Sequence, residues 1–377
     1  MEVMGLNEVM LNRDHVKLCM ECRCHLCREM CTQYIETRNS VNTAYGTYII
    51  AFAYQLGLIE PTRELAEHFL YCTTCGLCKY RCTVSLKGAF YRKIMDVPKH
   101  VAEIRAFLNE KVGIPYKAGI ILDNLRKFNN PQGTLKAFVN LENVKDPLNE
   151  KVSIIFYMGY SAYDRRNSKA LEAAIDILKN SGVDFGILRK EPNSGDLALR
   201  LGDVGLFEIF KERNLEIFES TKAERIVTFS PHDFYTFKND YKLKNVSHIS
   251  VFLKELMDEG KIKVRKIGYR VIYKDPCYLG RHSGIFNEPR SIISSIAELE
   301  EFSANRYLAL CCGGGSGHDV MGLEKKKINR VAKILANEAK ERGVDTIAVA
   351  CPSCTTMIES EGMRTKNITE IVREAMV

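Results

Sequence analysis

The stretch Leu308-Ala309-Leu310-Cys311-Cys312-Gly313-Gly314-Gly315 sets a short apolar run directly against two adjacent thiols and three glycines. The same succession recurs on either side. An apolar run at 271–273 leads into Asp275-Pro276-Cys277, and one at 347–350 leads into Cys351-Pro352-Ser353-Cys354. Further short apolar runs at 152–156, 185–188 and 226–229 alternate with helical periodicities such as 170–179 and 325–342. That alternation predicts an α/β fold with parallel sheet. In an open sheet of this kind the carboxyl ends of the strands share one edge, so turns far apart in sequence converge on one pocket. Cys277, Cys311, Cys312, Cys351 and Cys354 are expected to meet there, the alternative being buried cysteines scattered through strand turns. Glycines after the cysteine pair let backbone amides approach an anionic centre. Helices beginning near His318 and Cys354 would point their positive dipole ends toward it.

Upstream, residues 151–240 repeat the pattern without a thiol. Tyr160 stands where Cys277 does, Asn193-Ser194-Gly195 where Cys311-Cys312-Gly313 does, and Ser230-Pro231-His232-Asp233 where Cys351-Pro352-Ser353-Cys354 does. The offsets are 33 and 37 residues against 34 and 40. A duplication accounts for this, with the first copy unable to bind what the second binds and left to support its sheet by pseudo-twofold packing.

The remaining nine cysteines precede both copies. Cys72, Cys75, Cys78 and Cys82 read C-x2-C-x2-C-x3-C, a spacing that wraps three thiolates round one iron-sulfur cubane and sends the fourth to a neighbouring cluster. A single zinc would favour two pairs separated by a longer loop. In the first group Cys24, Cys27 and Cys31 fit the last three positions, but Glu21 holds the first. The missing thiol is Cys19, giving C-x4-C-x2-C, or Cys22, giving a tighter C-x1-C that strains the loop; Cys19 is favoured. The spare thiol is then structural or redox-sensitive. Residues 39–59 carry no charge and read as a helix buried between the two cluster loops, shielding iron from water.

Composition bounds what these motifs do. With 377 residues, 46% of them hydrophobic, the chain fills two or three cores, which rules out disorder and fibrous structure. No stretch reaches 18 consecutive apolar residues, and residues 1–12 lack a basic region before an apolar block, so neither a membrane span nor a signal peptide is expected and a cytoplasmic protein is. In a reducing compartment 14 cysteines call for metal or redox chemistry rather than disulfides. The formal charge of +7 comes from scattered lysines and arginines, with short runs at 261–265 and 325–327, so no nucleic-acid surface is expected.

On these residues the chain resembles the cysteine-rich CCG-domain iron-sulfur oxidoreductases. These comprise the heterodisulfide reductase D and B subunits and the iron-sulfur subunits of anaerobic glycerol-3-phosphate, glycolate and lactate dehydrogenases. The motifs that carry the resemblance are the paired cubane spacings, Asp275-Pro276-Cys277-Tyr278-Leu279-Gly280-Arg281-His282, Cys311 to Gly315 and Cys351 to Cys354, in that order. It implies an α-helical ferredoxin-like domain at 1–97 with two 4Fe-4S cubanes, a helical linker at 98–150, a degenerate α/β repeat at 151–262 and a CCG α/β domain at 263–377. Cys277, Cys311, Cys312, Cys351 and Cys354 would hold a noncubane 4Fe-4S cluster, the catalytic site. The implied protein is an electron-transfer subunit passing electrons through the cubanes to or from a CCG cluster that reduces a disulfide, with a flavoprotein or membrane cytochrome b as partner. The alternative is a non-catalytic relay from a flavin-dependent dehydrogenase to quinone or a membrane cytochrome, held at the inner face of the membrane by its partner. Tyr278 departs from a histidine often found there, and the emptied first copy departs from the two-cluster arrangement. Arg281 and His282 stand beside the cluster turn as groups to give protons or bind an anion, or simply to make structural hydrogen bonds.

Overall fold

Two four-stranded parallel sheets form the larger part of the molecule in the computed structural model, which describes residues 13–83, 96–322 and 330–377. The first contains β1 (Ile154–Tyr157), β2 (Phe185–Gly186), β3 (Arg225–Thr228) and β4 (Val246–His248), in the order β2-β1-β3-β4. The second contains β5 (Arg270–Tyr273), β6 (Glu298–Glu301), β7 (Thr346–Val349) and β8 (Arg364–Asn367), in the order β6-β5-β7-β8. Every pairing is parallel, and the two orders are the same, which is the duplication seen as topology.

The copies are joined through one apolar core. Helix Ser168–Asn180 of the first packs on helix Ile368–Ala375 of the second, and helix Asn287–Ile296 of the second packs on helix Ile249–Asp258 of the first. Phe156, Val227, Tyr273 and Ala348 meet these helices from the strands. The Thr369 hydroxyl donates to the Ala170 carbonyl at 2.7 Å, across the join.

Three strands depart from the apolar-run reading. Residues 308–310 form no strand: Arg306–Leu308 is a 3-10 turn and the chain then runs irregularly into Cys311. The strand of that unit is β6, sequence ELEE, an edge strand whose acidic side chains are paired rather than buried. Arg270 bridges Glu298 and Glu300, and Arg290 bridges Glu301. The other two, β4 and β8, are edge strands too and read VSH and RTKN, where apolarity gives no signal. The helix expected over 325–342 is described from Val331 to Glu341; its beginning, with the lysine run at 325–327, lies outside the described residues, as do residues 1–12.

The amino-terminal region is helical, with short helices Arg13–Cys22, Leu26–Glu29, Thr32–Thr37 and Leu77–Arg81 carrying or flanking the cysteines. Thr43, Thr62 and Asp96 cap the helices Ala44–Gln55, Arg63–Phe69 and Val97–Val112 by accepting from backbone N–H groups three residues on. Helix Ala44–Gln55 is only half buried, which corrects the expectation of a shielded helix. Tyr48, Ile50 and Ala51 face inward, while Ile49 is 43% and Phe52 39% exposed. Its lack of charge concealed an apolar outward face.

Candidate iron-sulfur sites

Two cysteine turns of the second copy start at or just beyond the carboxyl end of a strand, while the Cys311-Cys312 turn follows irregular chain after β6. β5 leads through Lys274 to Cys277, and β7 leads to Cys351, which caps helix Pro352–Glu359 and places Cys354 in its first turn. The thiols then lie next to one another in the order Cys277, Cys311, Cys312, Cys354 and Cys351, each acting on its neighbour electrostatically. All five are buried, none more than 5% exposed. Gly313, at φ +92°, turns its amide so that it donates to Cys311 Sγ at 3.3 Å. The neighbouring Cys277 thiol, together with that of Cys75, pulls the Cys311 thiol down to about 6.

Two buried cations stand beside these thiols. Lys274 Nζ donates to Cys354 Sγ at 3.3 Å, and Arg281 Nε donates to the Cys75 carbonyl at 2.9 Å. The Asp-Pro-Cys turn is fixed by Arg290, whose guanidinium grips both Asp275 oxygens at 2.7 Å. Of the two roles open to His282 the structure shows the structural one: burial pushes it down to about 3, and its Nε2 is 3.0 Å from the Thr74 carbonyl. It pins one loop to another.

The amino-terminal thiols interleave. Cys19 lies among Cys27, Cys82, Cys22 and Cys24, and Cys27 lies near Cys82 and Cys24 with its thiol pushed by burial to about 11. Cys31 instead lies near Cys75 and Cys72, and with Cys72, Cys75 and Cys78 it lines a small cavity. Thus Cys82, last of its motif, faces the first group, and Cys31, last of its own, faces the second. Cys22 Sγ sits 3.0 Å from the Thr83 hydroxyl, which also donates to Cys24 Sγ at 3.3 Å.

The second thiol group abuts the five-cysteine site. Thr73 Oγ1 is 3.7 Å from Cys311 Sγ, and Thr74 Oγ1 bonds both the Tyr278 hydroxyl at 2.9 Å and the Ser316 hydroxyl at 3.0 Å. A Cβ on Gly315 would lie 2.3 Å from the Thr73 carbonyl oxygen, so only glycine permits this approach. Arg105, fully buried, fastens the same loop to the first copy by donating to the carbonyls of Phe69, Leu70, Cys72 and Arg200.

Oxygen and nitrogen atoms fill the corresponding place in the first copy. Ser194 donates to Asp233 where Cys312 touches Cys354, and Asp196 pairs with Arg200 and His232. His232 stacks on Tyr278 at 3.9 Å, and the Tyr160 hydroxyl lies 3.3 Å from the Ser353 hydroxyl in the Cys-Pro-Ser-Cys turn. Burial raises Asp233 to about 7 and Glu191 to about 8.

Among the described residues no three His, Cys, Asp or Glu side chains converge as ligands of one metal ion. A lone zinc draws its thiolates to about 2.3 Å from one point, whereas an iron-sulfur core with its own sulfides spreads them. Thiol-only donors, buried at the CCG site and half-buried at the amino-terminal one, fit clusters. Sequence reasoning missed Lys274 and Arg105. Lys274 had a faint signal as a charge between an apolar strand and a cysteine turn; Arg105 had none.

Comparison with known proteins agrees. Residues 18–87 match the 4Fe-4S dicluster domain, and residues 154–238 and 271–359 each match the cysteine-rich domain CCG. The chain is 31% identical over 82% of its length to a probable membrane-anchored ferredoxin of Chromohalobacter salexigens, covering 48% of that protein. It is 26% identical over 81% of its length to the EtfAB:quinone oxidoreductase of Syntrophomonas wolfei, covering 46% of it. To the D subunit of the dihydromethanophenazine:CoB--CoM heterodisulfide reductase of Methanosarcina barkeri it is 27% identical, over 90% of this chain and 85% of that one. The chain thus spans about half the length of the first two relatives. Among the described residues no helix is long and apolar enough to cross a membrane. With thiol sites, duplicated sheet and both domain types in agreement, the chain belongs to the iron-sulfur proteins in which a 4Fe-4S dicluster domain precedes a pair of cysteine-rich CCG domains.

Proposed function

We propose that the chain is an electron relay of an oxidoreductase complex, taking electrons from a flavoprotein partner and delivering them toward a quinone or a membrane cytochrome. Cys19, Cys24, Cys27 and Cys82 hold one cubane in this reading, and Cys31, Cys72, Cys75 and Cys78 hold the other. Cys277, Cys311, Cys312, Cys351 and Cys354 hold the third centre, a noncubane 4Fe-4S cluster. When bound, such clusters supply one-electron carriers whose potentials follow ligand charge, burial and hydrogen bonding to sulfur.

The chain's own residues keep water out and fix the spacing of the sites. Arg105, Tyr80 and His282 tie the amino-terminal loops to the α/β copies through backbone carbonyls. The observation that carries the reading is the contact of Cys75 with Cys311, which puts ligands of neighbouring centres against each other. Burial of all five CCG thiols supports a relay over disulfide reduction, because a disulfide has no direct approach to them. A partner holding the chain at the inner face of the membrane is part of the same proposal.

Reduction of a heterodisulfide is the second reading, favoured by the near full-length similarity to the heterodisulfide reductase chain of Methanosarcina barkeri. Anaerobically reconstituted protein, reduced with a viologen dye, separates the two. The relay reading expects reoxidation by a short-chain quinone and no thiol release from CoB–CoM or glutathione disulfide. Steady thiol release overturns it.

A further inference from the structure

Five basic side chains are buried among the described residues: Arg105, Arg200, Lys274, Arg281 and Arg290. Arg200 and Arg290 are matched by carboxylates, with Asp196 and Asp240 on the one and Asp275 and Glu301 on the other. Arg105 is spent on backbone carbonyls around the second thiol group. Lys274 and Arg281 differ. Lys274 is 1% and Arg281 5% exposed, and among the described residues neither has a carboxylate within 4 Å. Lys274 has three N–H groups and makes one hydrogen bond, to Cys354 Sγ at 3.3 Å. Arg281 gives Nε and Nη1 to the carbonyls of Cys75 and Ala309, while its Nη2 has no partner among the described residues.

Burying a cation without an anion is costly, and the anions within reach of this pair are sulfur. Lys274 is set among Cys354, Cys312, Cys277 and Cys311, and Arg281 among Cys75, Cys277 and Cys311. Both cations therefore act on Cys277 and Cys311, Lys274 reaching on to Cys312 and Cys354 and Arg281 to Cys75 of the second group. Among the described residues no hydrogen bond joins any of the five buried cations to the first cysteine group. Buried positive charge hydrogen-bonded or set beside the thiols thus rises from the first group to the second, where Arg105 and Arg281 stand, and to the CCG site, where Lys274 and Arg281 stand.

We propose that Lys274 and Arg281 make the CCG centre an electron sink relative to the first cubane, Lys274 acting on the CCG thiols and Arg281 shared between them and Cys75 of the second cubane. The step they would favour carries one electron from the centre at Cys19, Cys24, Cys27 and Cys82, by way of the second cubane, to the centre at Cys277, Cys311, Cys312, Cys351 and Cys354. One is oxidised by one electron as the other is reduced by one, and no bond is made or broken. Fixed positive charge beside the acceptor stabilises the added negative charge without moving a proton, as a preorganised site does. Both residues act through the ligands as charge-compensating groups.

The inference rests on the proposed cluster at these five cysteines, and the two fail differently. Unchanged iron content in Cys312→Ala sinks the cluster assignment, whereas a loaded centre with unaltered potential sinks this inference. The experiment is an EPR-monitored potentiometric titration of the full chain, with the first cubane as internal reference. In Lys274→Met and in Arg281→Gln, the reduced-to-oxidised ratio of the CCG centre at a fixed solution potential should fall at least about tenfold, about 59 mV for a one-electron couple. The first cubane should not move, and Lys274→Arg should restore the wild-type value. A CCG midpoint unchanged in either loaded variant overturns the proposal. If neither neutral variant assembles the centre, Lys274→Arg and Arg281→Lys must; failure of those charge-keeping variants overturns it as well.

Discussion

The Cys75 side chain packs against the cluster that Cys311 forms with Cys277 and Tyr278, so the amino-terminal motif and the carboxyl-terminal copy touch through sulfur. That contact depends on Gly315, whose backbone lies against the Thr73 carbonyl. Gly315→Ala inserts a methyl group with 2.3 Å available to it and should cost about 1–3 kcal/mol in anaerobic urea denaturation. Stopped-flow reduction should also show slower transfer between the cubanes and the CCG centre at wild-type iron content. A variant as fast and as stable as wild type would show that the loops have room to part.

Two thiols compete for one ligand position in the first group. Cys19 is buried among Cys27, Cys82 and Cys24, while Cys22 is held by the Thr83 hydroxyl. Cys19→Ala should lose about four iron atoms per chain and Cys22→Ala none. The reverse pattern in metal analysis assigns Cys22 as the ligand.

Arg105 supplies four backbone carbonyls from the protein interior. Arg105→Ala leaves them unpaired and should cost roughly 3–5 kcal/mol in the same denaturation assay. Loss of the charge alone does not explain such a cost, so Arg105→Lys, with fewer donors, should fall between the two.

Asp233 is pushed up to about 7, and Glu191 to about 8, by burial in the first copy. The folded chain therefore keeps protons that the unfolded chain gives up near the ordinary values of 3.8 and 4.5. The stabilisation is complete below those values and is lost as pH rises through 7 and 8. The melting temperature should fall between about pH 6 and pH 8.5. Asp233→Asn, which still accepts from Ser194, should flatten that fall and gain about 1 kcal/mol near pH 8. Equal slopes for both proteins would place the pH dependence elsewhere.

The parallel sheets and the shared edge of the cysteine turns were legible because β1, β3, β5 and β7 are central strands, buried on both faces and apolar in sequence. β6 and β8 were illegible because these edge strands satisfy their side chains by ion pairs and solvent, and β4 because its buried Ser247 and His248 are held by internal hydrogen bonds; Glu298 and Glu300 look like loop residues until Arg270 is placed opposite them. Cysteine spacing located every candidate ligand. It did not reveal Lys274 or Arg281 as counter-charges, because burial without a carboxylate is a property of the folded surroundings. Sequence left His282 between proton chemistry and a structural hydrogen bond, and the Thr74 carbonyl that claims its ring comes from a loop 208 residues away.

Cys31 and Cys82 each abandon their own motif for the other one. Neither half of the amino-terminal pair can then be completed while the other is missing its final sulfur. Oxidation of Cys31 or of Cys82 should therefore strip a ligand from the centre built on the other motif and leave that of its own motif complete.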